Sequence, residues 1–194
     1  MLFTGLMLSL ALMFQGVDDT GVAVARPTGE VYLEPTTGSY FQIFEFYGRP
    51  PHTWRHAQRM VRGYRYEGRE GQLASVKTGK THYFLLTKFP LLQKQRMWIG
   101  LQAVCNETVD ITWTDGDDLA DQSFRAWNDG TQKRISRTCR ARRGSGLQLP
   151  VYYDPNLLGT RWEVGTIGTN IQYMMVEFVE PIEEEVEEKP AATP

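Results

Sequence analysis

Apolar positions recur with different periods along the chain, and each period predicts a different element. Leu2 to Phe14 (LFTGLMLSLALMF) is one unbroken apolar run. It is too short for a membrane-spanning helix, which needs about 20 residues. It suits the apolar centre of an export signal, with Ala23-Val24-Ala25 as a small-x-small cleavage site. Arg26 to Thr37 is a polar, proline-containing lead-in. GSYFQIFEFYG (Gly38 to Gly48) reads as a strand, being aromatic and β-branched between glycines. TWRHAQRMVRGYRY (Thr53 to Tyr66) has helical spacing. Trp54, Ala57, Val61 and Tyr64 share one face, and Arg55, Arg59, Arg62 and Arg65 fall largely elsewhere. THYFLLTKF (Thr81 to Phe89) reads as a second short helix, stopped by Pro90.

Beyond Pro90 the pattern turns to strands. RMWIGLQAV is a short run suited to a buried strand. Val109, Ile111 and Trp113 alternate with Asp110 and Thr112, the period of a half-buried strand. Asp117 to Leu149 reads as a long, irregular, polar region. LPVYYD and TRWEVG are further short strands, and IQYMMVEF (Ile171 to Phe178) is the last. Strand, helix, helix, then short strands around a long loop describes an α+β domain whose first and last strands pair.

Charge divides the chain. Of 21 basic and 23 acidic residues, Glu180 to Pro194 holds six Glu and one Lys, and the first 25 residues hold two Asp. The remainder carries 20 basic against 15 acidic residues, so the body is basic and the tail acidic. Such a Glu-rich tail with Pro and Ala reads as solvated and disordered. The divisions are thus a signal over 1–25, a lead-in over 26–37, a domain over 38–179 and a tail over 180–194. Two cysteines, Cys105 and Cys139, suit an exported protein with one disulfide, and equally two free thiols.

Six short motifs then stand in one order. TWRHAQRM, GREGQLASV, MWIGL (Met97 to Leu101), ITWTDG, FRAW and YMMVEF resemble, in sequence, the successive motifs of the C-type lectin-like domain, WIGL being the most diagnostic. The resemblance covers about Gly38 to Phe178. It implies a C-type lectin-like fold: two short helices flanking small antiparallel sheets, with a long loop region. Trp98, Ile99, Leu101 and Trp113 are then core residues, and Gly100 permits close packing within a strand.

The departures from the family bear on function. The places of the usual helix-to-last-strand disulfide are taken by Val61 and Val176. If Cys105 and Cys139 pair, the bridge ties the long loop to the sheet. Sugar-binding members hold calcium through a Glu-Pro-Asn segment and an Asn-Asp pair after the final loop tryptophan. Here WNDGTQKR (Trp127 to Arg134) offers Asn128, Asp129 and Gln132, and Glu163-Val164 follows Trp162. Calcium wants six to eight oxygens, so no metal site of the family type is expected, and no cofactor.

KRISRTCRARR (Lys133 to Arg143) carries six cations in the long loop. Arginine's planar fork suits carboxylate, sulfate and phosphate. The expected ligand surface is therefore Arg134, Arg137, Arg140, Arg142 and Arg143, with Trp127, Asn128, Asp129, Tyr152 and Tyr153. The adjacent tyrosines point to opposite faces of a strand, so at most one reaches ligand. The acidic tail is a candidate to fold back and mask this loop.

No Ser-His-Asp spacing, phosphate loop or HExxH motif occurs, and His52 and His56 read as surface residues. The two cysteines do not match the contexts of sulfatase-modifying relatives. The expectation is a non-enzymatic, exported binding module of bacterial type, secreted, periplasmic or at the cell surface. It has no membrane span in the mature chain. It recognises an anionic glycan or a cell-surface protein without calcium and binds no nucleic acid. The alternative is a protein–protein or structural module of the cell envelope that binds no sugar.

Overall fold

The computed structural model describes residues 24–156 and 159–180. The apolar run Leu2 to Phe14 and the acidic stretch after Glu180 lie outside the described residues.

The fold is α+β. Strand β1 (Val24–Leu33) pairs antiparallel with β2 (Tyr40–Tyr47), so the segment read as a lead-in contains a sheet strand. Helix α1 (Trp54–Val61) is followed by a hairpin of β3 (Arg65–Tyr66) and β4 (Arg69–Leu73). Next come helix α2 (Gly79–Lys88) and strands β5 (Met97–Cys105) and β6 (Val109–Trp113). Helix α3 (Thr131–Ala141), β7 (Leu147–Asp154), β8 (Arg161–Val164) and β9 (Tyr173–Val179) complete the order.

The main sheet runs β1-β2-β9-β5-β7-β8, with β4 also on β9 and β6 also on β5. The first and last strands of the proposed domain pair as expected: Phe41 stands opposite Glu177 and Phe44 opposite Met174. All pairs are antiparallel except β5–β9.

β5 is buried on both faces because its side chains alternate between two cores. Met97, Ile99 and Leu101 join Phe41, Trp113, Tyr153 and Trp162 on one side. On the other, Trp98 joins Trp54, Ala57 and Val61 of α1, with Tyr152 and Val176. Val61 and Val176, where the resemblance places a missing disulfide, thus share one buried cluster. Two buried indoles are satisfied by backbone, Trp54 Nε1 donating to Ile99 O at 2.7 Å and Trp98 Nε1 to His52 O at 2.9 Å, and Trp113 Nε1 donates to Gln122 Oε1 at 2.9 Å.

Two expectations are corrected, and one residue is added. The first helix stops at Val61 rather than Tyr66, because Tyr64 O accepts from Gly71 N and turns the chain into the β3–β4 hairpin. Two flanking helices become three, since the polar region 117–149 contains α3. Its apolar signal is only Thr131, Ile135 and Cys139, spaced by four and buried. Lys, Arg and Gln, good helix formers, fill the exposed positions. Of the histidines, His82 is fully buried on α2 and shares a 2.8 Å hydrogen bond with the Tyr153 hydroxyl.

Two measurements test this packing. A Cβ on Gly100 would lie 2.5 Å from Leu73 O and 2.6 Å from Thr114 Oγ1, with rigid backbone on one side. Gly100→Ala should therefore cost about 1–3 kcal/mol, read as a lowered unfolding midpoint; an unchanged midpoint refutes the close approach. Burial, aided by the charge of Arg161, lowers the His82 pKa from 6.5 to about 4. The unfolded chain therefore binds the proton more readily. This contribution to stability is complete above about pH 6.5, falls as pH drops through the window to about 4, and is then lost. His82→Gln should flatten that slope in equilibrium denaturation, and an unaltered slope would assign the loss to other groups.

Candidate functional site

α3 is held from below and presents its charge outward. Ile135 and Cys139 pack with Ala103, Cys105 and Leu149. A disulfide joins Cys105 of β5 to Cys139, with Cα atoms 4.7 Å apart. The bridge expected to tie the basic segment to the sheet is present, and it ties down a helix rather than a loop.

At 100° per residue, Thr131, Ile135 and Cys139 occupy one side, and Lys133, Arg137 and Arg140 fall opposite. These three form an exposed i, i+4, i+7 stripe spanning about 10 Å of axis. Arg142 and Arg143, also exposed, follow at the carbonyl end, where the helix dipole favours cations. Lys133, Arg137, Arg140, Arg142 and Arg143 have no carboxylate within salt-bridge distance among the described residues.

Arg134 is different. It lies on the flank of α3 and pairs with Glu163 of β8. Glu163 is 14% exposed, accepts hydrogen bonds from the Thr131 hydroxyl at 3.0 and 3.1 Å, and stands opposite Tyr152 in register. Burial pushes its carboxyl up, but Arg134, the Val164 N–H and Thr131 outweigh this and hold it below the ordinary carboxylate value. Beside it, Asp154 of β7 is 19% exposed and takes Arg96 Nε at 2.8 Å. Arg96 also covers the Tyr152 ring at 5.6 Å. The Asn128 amide lies between, 3.4 Å from Asp154 and 3.5 Å from Glu163, and its oxygen accepts from Asn156.

These residues form a second polar cluster, inward in that its carboxylates are mostly buried, while the Arg96 and Arg134 guanidinium groups that neutralise them stay more than half exposed. Its oxygens are of the kind calcium takes. A divalent ion there would have to displace Arg96 or Arg134 and still find six to eight oxygens. The residues as arranged do not fit the family's metal.

The structure sorts the predicted residues. Arg134 and Asn128 sit in the inward cluster, and Arg137, Arg140, Arg142 and Arg143 lie on the outward face. Asp129 is exposed in the turn before α3. Trp127 is half-buried, packed edge-to-face on Trp162 at 5.4 Å. Tyr153 is wholly in the core and cannot contact ligand; Tyr152 is 7% exposed, under Arg96 and against Trp98. Both tyrosines leave the ligand surface because β7 is covered on both faces. Arg96, Asp154, Asn156 and Thr131 were missed as site residues. One signal for them was available: Asp154-Pro155-Asn156 is an acid-Pro-Asn triplet, lying outside the 127–134 window.

Comparison with protein-family models and with curated proteins finds no match. Among solved structures, the chain is similar to rhodocetin, with 15% identity over 79% of this chain and 94% of the other, at a TM-score of 0.41. It is also similar to EMS16, described as an antagonist of the collagen receptor integrin alpha2beta1. There identity is 16% over 73% of this chain and 92% of the other, at a TM-score of 0.42.

The inward cluster makes a direct prediction. Arg134→Met removes the guanidinium from Glu163 and should raise the Glu163 pKa, read by carbon NMR titration of the side-chain carboxyl. A curve superimposable on the parent's would show that Arg134 does not neutralise it.

Proposed function

We propose that this chain is an exported, calcium-independent binding module that recognises an anionic glycan through the outward face of α3. The observation that carries the reading is the stripe Lys133, Arg137 and Arg140. Among the described residues these three cations have no carboxylate within salt-bridge distance, and they are presented by a helix fixed through Ile135 and a disulfide. A rigid element holds its charges in place before the ligand arrives, so less ordering entropy is lost on binding. Each exposed ion pair contributes only about 0–1 kcal/mol and is screened by salt. Affinity then comes from several pairs together, continued by Arg142 and Arg143. With Tyr152 and Tyr153 buried, recognition rests on charge-assisted hydrogen bonds rather than aromatic stacking, and involves no bond chemistry.

Several features support the setting. The disulfide suits an oxidising compartment, and the apolar run near the amino end suits an export signal. No helix among the described residues is long and apolar enough to cross a membrane.

The test is a binding screen of the full chain on neutral and acidic glycans, with and without EDTA, at low and high salt. Binding to acidic glycans should survive EDTA and fade with salt. Replacing Lys133, Arg137 and Arg140 together by Gln should weaken it at least tenfold while leaving the unfolding midpoint in place. Binding abolished by EDTA would mean that a metal displaces the arginines of the inward cluster. No binding to any glycan would transfer the function to a protein partner or a structural role in the envelope.

A further inference from the structure

A second cationic stripe, on α1, is not used by the reading above. Trp54, Ala57 and Val61 are buried, and Arg55, Arg59 and Arg62 stand away from them at i, i+4 and i+7, all exposed. The stripe runs about 10 Å along the helix. None of the three has a carboxylate within salt-bridge distance among the described residues. Arg55 is held only by the neutral Gln148, at 2.8 and 3.0 Å. α1 carries no acidic residue in its first turn. Its surface is a row of like charges that repel one another; the carboxylate lining the same crevice as Arg62, that of Glu70, is paired with Arg65.

The carboxyl end of this stripe opens on a crevice of about 340 Å³ between α1 and β4. Its lining includes Gln58, Arg62, Gln72, Thr114 and Val179. Val179 is the last residue of β9. Glu180, the next, is pinned where it leaves the sheet: Arg69 Nη2 donates to its carboxylate at 2.7 Å, and the other end of the same guanidinium is held by Gly38 O. Arg69 is only 18% exposed, so the departure point is firmly set. The chain then continues Pro181-Ile182-Glu183-Glu184-Glu185-Val186-Glu187-Glu188.

The start of the acidic segment is therefore placed on the lip of the crevice that ends in Arg62. Three residues of extended chain span about 10 Å, the reach available to Glu183 from Glu180. Extended, Glu183 to Glu188 would span about 17 Å, longer than the stripe of about 10 Å, so its five glutamates suffice to cover all three arginines. Tethering so short a segment gives it an effective concentration in the millimolar range at the helix.

We propose that the acidic segment Glu183–Glu188 of this same chain docks along the Arg55–Arg59–Arg62 stripe of α1. It does not lie on α3, the surface that sequence charge alone suggested it would mask. The contact supplies the counter-charge that α1 lacks and leaves α3 open. The contact is salt-sensitive, since each exposed pair is screened. The proposal goes beyond the α3 reading and does not rest on it.

The experiment compares the full chain with a full-length variant in which Glu183, Glu184, Glu185, Glu187 and Glu188 are all replaced by Gln. The arginine Nε–H resonances are recorded by NMR at low and high salt. At low salt, Arg59 and Arg62 should differ between the two chains, and in about 0.5 M salt the difference should collapse. Two results would overturn the proposal: resonances of Arg59 and Arg62 that coincide at low salt, or differences confined to Arg137 and Arg140, which would put the segment on α3.

Discussion

The close approach of β4 to β5 at Gly100 is the constraint that the rest of the fold accommodates. Gly100 N donates to Ala74 O at 2.9 Å, and Thr114 N donates to Gly100 O at 2.7 Å. The missing side chain admits Leu73 O to the space where a Cβ would stand. That approach brings β4 and α1 onto one face of β5 while leaving the other for Trp113, Tyr153 and Trp162. With both faces of β5 committed, β7 beside it is also covered on both sides. Its tyrosines become core, and the exposed cations stand outward on α3.

Charge follows the same division. Three of the carboxylates drawn in meet a cation: Asp154 has Arg96, Glu163 has Arg134, and Asp115 has Lys77 at 2.8 Å. Buried Glu34 accepts from the Thr36 and Thr37 N–H groups. The buried Glu177 accepts instead from Ser75 N at 2.9 Å and from Gln72. Burial raises its pKa first, against the hydrogen bonds that lower it. The interior is thus balanced locally, and the excess of positive charge is left to two exposed helix faces. Net charge near zero for the whole sequence conceals this, because the acidic segment that offsets it lies at one end.

The core was legible because its signals are short. In Met97 to Leu101 and Tyr173 to Phe178, burial follows neighbours in sequence, and the motifs carry their own glycine and aromatic placements. α3 was not legible as a helix because its buried side shows only Thr131, Ile135 and Cys139, and two of those three are not recognisably apolar. Six cations in eleven residues read as loop when the four-residue spacing beneath them is overlooked. The inward cluster was out of reach for another reason. Arg96, Asn128, Asp154 and Glu163 come from four separate segments, and three pairings bring them together: β5–β7 sets Met97 against Tyr153, β7–β8 sets Tyr152 against Glu163, and Trp127 bridges to Trp162. The same segment showed Tyr152 and Tyr153 as alternating, which was right, but alternation exposes a side chain only when one face is solvated.

The position of β9 has a consequence for how the chain reaches this state. β9 lies between β2 and β5, yet among the described strands it is the last to be synthesised. Until residues 173–179 arrive, the aromatic strand Tyr40 to Tyr47 has no partner on that edge, and β5 lacks its parallel neighbour. Pairings between residues as distant as Phe41 and Glu177 close slowly, because the loop entropy is lost before the contacts form. An emerging chain therefore carries an exposed, apolar strand edge for most of its synthesis, the condition under which strands pair with the wrong chain. Completing the sheet is a single late event that seals both halves at once.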